Sequence, residues 1–265
     1  MRGLKQVARG LVLVLCSLAA ASVSAQSVAD IQKPFEPVSG QPGKDVVWVP
    51  TPQPTVDKML ELARVTPKDF VIDLGAGNGI TVIHAAKMGA TALGVEFNPD
   101  MVALARRLAK DAGVSDTATF VQGDLFEADL SKATVITLFL LPDINLQLRP
   151  KLLDLKPGTR IASNTFDMGD WEPDAKEVAS PCTSYCTALS WVVPAKAAGT
   201  WQLGKQTLTL TQQYQVISGA LGSTPITGGK LTGEDITFTV GSQVYTGRVT
   251  ADTMTGPDWS ATRSK

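Results

Sequence analysis

The stretch Val71-Ile-Asp-Leu-Gly-Ala-Gly-Asn-Gly-Ile80, followed by Gly94-Val-Glu-Phe-Asn-Pro99, decides the fold. It reads as an apolar strand, a glycine-dense turn, a helix, and a second apolar strand that ends on an acid. Glycines at 75, 77 and 79 let the backbone run close against a ligand, because no side chain stands between them. The following helix directs its free N–H groups at the same place. Glu96, at the tip of the next strand, sits where a carboxylate accepts two hydroxyl hydrogen bonds from a ribose. The chain is therefore read as the binder of a nucleoside-containing cofactor.

The spacing favours S-adenosylmethionine over a dinucleotide. In the dinucleotide fingerprint G-x-G-x-x-G the last glycine would fall at position 80, which is Ile. Asp73, two residues before the first glycine, would repel a pyrophosphate, whereas a methionine ammonium is attracted to it. Thr119-Phe-Val-Gln-Gly-Asp-Leu125 reads as a third strand with Asp124 just past its end. Ligands of open α/β sheets sit beyond the carboxyl ends of the strands, so Asp73, Glu96 and Asp124 are expected to share one crevice.

At this point the chain resembles the class I S-adenosylmethionine-dependent methyltransferases. The resemblance implies that Asp73, Gly75, Gly77 and Gly79 hold the methionine part, Glu96 the ribose hydroxyls and Asp124 the adenine amino group. Ala76 and Leu125 complete that site. It also implies a Rossmann-like, mostly parallel seven-stranded sheet with helices on both faces. A narrower resemblance covers roughly Val47 to Trp201, carried by Trp48-Val-Pro-Thr-Pro52, Leu138-Phe-Leu-Leu-Pro142 and Phe166-Asp-Met-Gly-Asp-Trp-Glu-Pro173. These segments are similar to the lysine methyltransferase family that includes the mitochondrial enzyme acting on the ATP synthase c-subunit. That family implies a protein substrate with an acceptor lysine and direct displacement by its neutral amine. By the same resemblance the Trp48 to Pro52 segment and the loop Leu141 to Asn145 line the acceptor channel, with Thr51 and Asn145 as hydrogen-bonding candidates. No general base and no metal site is assigned. Asn78 and Ile80 depart from the family's pattern.

A net charge of −1 argues against a general nucleic-acid or membrane-surface binder. Residues 1–25 have the layout of a secretory signal peptide: Arg2, Lys5 and Arg9, then the apolar run from Leu11 to Ala21, then small residues ending at Ala25. An uncleaved membrane anchor is the alternative; after cleavage no stable membrane insertion is expected. An exported, periplasmic or cell-envelope protein follows, in tension with a cofactor made in the cytosol. Cys182 and Cys186 either pair in such a compartment or stay as free thiols.

Residues 26–54 form an extended proline-rich lead-in, with a helix starting near Thr55. The methyltransferase domain is expected over 55–198, with strands at 69–73, 135–141 and 160–166. A helix from Ile144 to Leu155 should bend at Pro150. His84 reads as a packed or edge residue, and Arg106, Arg107 and Lys110 as a solvated helix face. From 199 to 265 the texture turns to period-two alternation punctuated by glycine, an antiparallel β meander that Trp201 and Trp259 are placed to close. A second reading makes the chain an exported, non-catalytic methyltransferase-fold module that binds an envelope partner through this β tail.

Overall fold

The structure, a computed structural model, describes residues 35–264. The expected leader and the start of the lead-in lie outside the described residues. Strands β1 (Phe70–Leu74), β2 (Thr91–Glu96), β3 (Ala118–Gln122), β4 (Val135–Leu138), β5 (Arg160–Asn164), β6 (Ala175–Val178) and β7 (Thr187–Val192) form one sheet, ordered β3-β2-β1-β4-β5-β7-β6. The pairings from β3 to β5 are parallel, and only β7 runs against its neighbours. Helices α1 (Gln53–Leu62), α2 (Ile80–Lys87), α3 (Pro99–Asp111) and α4 (Pro142–Leu153) complete this half.

The apolar strands follow from burial on both faces. Side chains alternate across a strand, so Val71 and Val135 enter the core shared with α1, α2 and α3. Ile72, Leu74, Ile136 and Leu138 enter the opposite core beside Ile144, Leu148 and Leu152 of α4. A strand covered on both sides needs an unbroken hydrophobic run rather than an alternating one. The run from Val135 nevertheless leaves the sheet early. Pairing with β5 ends at Leu138↔Ser163, and Phe139 to Leu141 form the loop into α4. Pro142 opens that helix rather than only ending a strand, because the first helical position needs no N–H partner. Pro150 lies inside the last turns of α4.

Asn98 caps α3 as its residue type suggests: its side-chain oxygen accepts from the backbone N–H of Asp100 at 2.9 Å and of Met101 at 3.4 Å. Arg106, expected on a solvated face, instead donates to the Phe120 carbonyl at 2.6 and 3.2 Å and ties α3 to β3.

The chain from Gly199 onward forms the expected antiparallel meander, closed into an eight-stranded barrel. Its strands are β8 (Gly199–Leu203), β9 (Gln206–Gln213), β10 (Val216–Leu221), β11 (Thr224–Thr232), β12 (Asp235–Val240), β13 (Gln243–Val249), β14 (Thr253–Thr255) and β15 (Ser260–Arg263). Each pairs with the next in antiparallel sense, and β15 returns to β8 through Ala261↔Leu203 and Arg263↔Trp201. Alternate residues such as Leu208, Leu210, Ile236 and Phe238 fill the interior with Trp201. Trp201 is fully buried. Trp259 packs edge-on against Phe238 and Tyr245. Its indole N–H donates to the Thr246 carbonyl at 3.0 Å, where the short β14 does not reach.

The two halves meet at residues 170–174. Tyr214 stacks on Trp171 with centroids 5.8 Å apart and donates its hydroxyl to Asp170 at 2.9 Å. Gln215 donates to the Glu172 carbonyl at 2.7 Å, and Lys230 pairs with Asp174 at 3.1 Å.

At the amino ends of β1, β4 and β5, Asp69 is 7% exposed and binds the Arg160 guanidinium, the Thr134 hydroxyl and both the N–H and hydroxyl of Thr66. Burial alone would raise its pKa, but these partners outweigh it and hold the carboxyl below its usual value. Such a group contributes stability above its unfolded pKa, near ~3.9, which is lost as pH falls through the lower folded value. Asp69→Asn is expected to lower stability at pH 7 by about 3 kcal/mol. Urea unfolding should show that deficit, and show it shrinking below about pH 4.

Candidate active site

Beyond the carboxyl ends of β1, β2 and β4 lies an open cleft. Its floor is the turn after β1. Gly75, Gly77 and Gly79 all adopt left-handed backbone angles (φ 76, 53 and 80°). A Cβ at Gly77 would lie 2.5 Å from the indole nitrogen of Trp48, and one at Gly79 would lie 2.6 Å from the Phe120 ring. Both conformation and space therefore demand glycine there.

Glu96 holds this turn. One carboxylate oxygen accepts from the Gly77 N–H at 2.8 Å, the other from the Asn98 N–H at 2.9 Å. Each oxygen retains a lone pair for a hydroxyl donor. Asp73 is 6% exposed and its partner is the buried Thr137, whose hydroxyl donates at 2.5 Å. Desolvation pushes the Asp73 carboxyl up to about 7; Thr137 opposes this and the nearby Glu96 charge adds to it. Asp124 also lines the cleft, but Lys44 approaches it at 2.5 Å and its other oxygen accepts from the Phe126 N–H at 2.9 Å. The Lys44 contact is the main reason its pKa is lowered. Ala76 and Leu125 line the same space.

The wall opposite the glycine turn is a strap, residues 41–51. Its hairpin is closed by Gly40 N–H to the Trp48 carbonyl at 2.8 Å and by Trp48 N–H to the Gln41 carbonyl at 2.9 Å. The strap sets Trp48 over Gly77 and Lys44 over the Phe97 ring at 5.2 Å. Trp48 lies against the glycine turn and lines the same cleft. Thr51, 8% exposed, lines the cleft at the strap's end. Asn145 is fully buried behind the cleft lining and donates to the carbonyls of Phe166 at 3.3 Å and Asp167 at 3.1 Å. Asn78 and Ile80 both line the cleft. His84 lies outside its lining, bonded to Asp57 at 3.2 Å and to Gln53 at 2.7 Å. Lys44, Phe97 and Met101 also line the cleft. They carry no motif and escape a reading of the sequence, although Phe97 directly follows Glu96.

The ANTKMT methyltransferase domain model matches residues 73–175. A protein-lysine N-methyltransferase from Saccharolobus islandicus (strain REY15A) is 46% identical over 136 residues, which is 50% of this chain and 83% of that protein. The Homo sapiens lysine N-methyltransferase of the ATP synthase c-subunit is 33% identical over 48% of this chain and 54% of its own length. A solved structure described as an RNA methyltransferase from Salinibacter ruber, in complex with S-adenosyl-L-homocysteine, is 50% identical. It covers 56% of this chain and 95% of that one, with a TM-score of 0.53.

The cleft's own chemistry fits S-adenosylmethionine. A glycine turn without room for a side chain, a buried acid beside it and a half-buried carboxylate at the next strand end match the ammonium and ribose of that cofactor. The raised Asp73 pKa carries a sign. A carboxyl raised in the folded state contributes stability fully present below its unfolded pKa, near ~3.9, and lost as pH rises through about 7. A bound ammonium favours the ionised form, so S-adenosylhomocysteine should bind more tightly at pH 7.5 than at pH 6. Asp73→Asn is expected to weaken binding by about tenfold or more and to flatten this pH dependence. Calorimetric titration across that range measures both effects.

Proposed function

The chain belongs to the lysine methyltransferase family that these relatives represent, and on that premise we propose that it methylates a lysine amine of an exported or envelope protein. It is an S-adenosylmethionine-dependent methyltransferase. The observation that carries the finer reading is the 46% identity to a protein-lysine N-methyltransferase over 83% of that protein's length, in a chain whose cleft acids Asp73, Glu96 and Asp124 lie at successive strand ends. Bound S-adenosylmethionine supplies an activated sulfonium methyl for direct displacement by the acceptor's neutral amine.

The residues of this chain contribute alignment and exclusion of water, the effects that dominate when no covalent participation by the protein is needed. Asp73 and the glycine turn are assigned the methionine portion, Glu96 the ribose and Asp124 the adenine edge once Lys44 gives way. Trp48 covers the turn and keeps water from it. Thr51 is placed to hydrogen-bond the acceptor or a neighbouring carbonyl. Asn145, with its amide nitrogen already engaged, has only its oxygen left to offer an amine.

The Salinibacter structure supports a competing reading, an RNA acceptor. A net charge of −1 gives RNA no general electrostatic attraction. Export is proposed from the leader-like residues 1–25, and the Cys182–Cys186 disulfide agrees with an oxidising compartment.

Incubation with methyl-labelled S-adenosylmethionine and an envelope extract is expected to place label in protein that yields methyl-lysine on acid hydrolysis. Label in nucleic acid instead would establish the RNA reading. Glu96→Ala should cut cofactor affinity by about 100-fold, because it removes a ribose acceptor and frees the Gly77 and Asn98 N–H groups together. Cooperative unfolding of that variant would show that the loss is local. For the leader, protein recovered from the envelope should begin at or near Gln26; an intact Met1 in the membrane fraction would mean an anchor.

A further inference from the structure

We propose that Phe139, Phe166 and Tyr185 form the seat for the alkylammonium side chain of the methyl acceptor, with Tyr185 presented by the disulfide-closed loop Cys182–Cys186. The proposal rests on the methyl-transfer reading above and puts the acceptor subsite beside that cleft, whose lining includes Phe139.

The three rings come from three separate segments. Phe139 is the first residue after β4 and lines the cleft. Phe166 follows β5, and Tyr185 precedes β7. Ring centroids lie 5.1 Å apart for Phe139 and Tyr185, 6.1 Å for Phe139 and Phe166, and 6.4 Å for Phe166 and Tyr185. Among the described residues the trio touches itself but belongs to none of the three hydrophobic cores. Tyr185 is 39% exposed, and the two phenylalanines are half-buried. Packing of the interior therefore does not account for them. A cation seated on the trio lies within the ~6 Å reach of every ring, and the rings also accept the apolar stem of a lysine-like chain.

The surroundings hold this arrangement in place. Tyr185 sits in the left-handed region (φ 53°), and its carbonyl accepts from the buried Thr55 hydroxyl at 3.0 Å. The disulfide brackets it on both sides. The Phe166 carbonyl accepts from Ser163 at 2.6 Å and from Asn145 at 3.3 Å. Beneath Phe166, the Asn145 side-chain oxygen and the Asn164 amide nitrogen are buried without a partner among the described residues. A polar acceptor atom beside an aromatic seat suits an amine rather than a hydrocarbon.

Two probes test this on the full folded chain with S-adenosylhomocysteine present: Nα-acetyl-Nε-trimethyl-lysine amide, and its neutral isostere with carbon replacing the ammonium nitrogen. Titrations followed by the NMR ring resonances of Phe139, Phe166 and Tyr185 should show the cation binding about fivefold more tightly than the isostere. Tyr185→Ala should abolish that preference and Tyr185→Phe should keep it. The Cys182→Ser, Cys186→Ser double variant should reduce it, while S-adenosylhomocysteine affinity stays within about twofold in all variants. Equal binding of the two probes by the unsubstituted chain, or a preference that survives Tyr185→Ala, overturns the proposal. Failure to bind S-adenosylhomocysteine at all would instead overturn the methyl-transfer reading. The cation titration, repeated without the nucleoside, would still report on the seat.

Discussion

The half-buried carboxylate of Glu96 and the left-handed turn it holds are the constraint on which the catalytic half depends. The turn satisfies both oxygens of Glu96 with main-chain donors from two different loops, Gly77 after β1 and Asn98 before α3. That arrangement fixes the spacing of the first two strand ends, and the parallel register of β1 and β2 delivers the acid to the right height. Trp48 then closes on a glycine that has no side chain to keep it away. Asp73 is driven toward neutrality beneath the turn because the same packing excludes solvent. A cationic group arriving there favours the ionised form of that carboxyl.

Most of this half is legible in the sequence because its signals are local. Glycine spacing, acids at strand ends, and the Asn98-Pro99-Asp100 helix start all act within a few residues of where they stand. Strand ends are hidden where tertiary pairing decides. The apolar run from Val135 continues to Leu141, yet β4 stops at Leu138, opposite Leu74 where β1 ends. The roles of Lys44 and Trp48 depend on a strap that returns across the cleft, and no periodicity announces such a contact. Arg106 looks like one of three solvated cations, and only the nearness of β3 gives it a carbonyl to bind.

The barrel is half visible. Strands with clean alternation, such as Asp235–Val240, declare themselves, whereas β14 and β15 are three and four residues long and polar. In β11, Pro225 and two adjacent glycines obscure the pattern at the point where its register with β12 shifts. The Asp170 to Pro173 segment shows how one stretch serves two purposes. It carries part of the family resemblance, and it is also where Tyr214 and Gln215 attach the barrel. Family resemblance alone would assign that segment to the catalytic half and overlook its use as a mount.

Closure of the barrel has a consequence for how this half meets other molecules. An open antiparallel sheet presents main-chain N–H and C=O groups along its outer strands, and any extended peptide can pair with them. Here the last strand zips onto the first, and the Trp259 indole occupies the carbonyl that the short β14 leaves over. Any recognition by this half would therefore run through side chains and hairpin tips, which discriminate among sequences, rather than through backbone pairing, which does not. The same closure leaves the barrel's threonine-rich strands no free edge on which copies could pair.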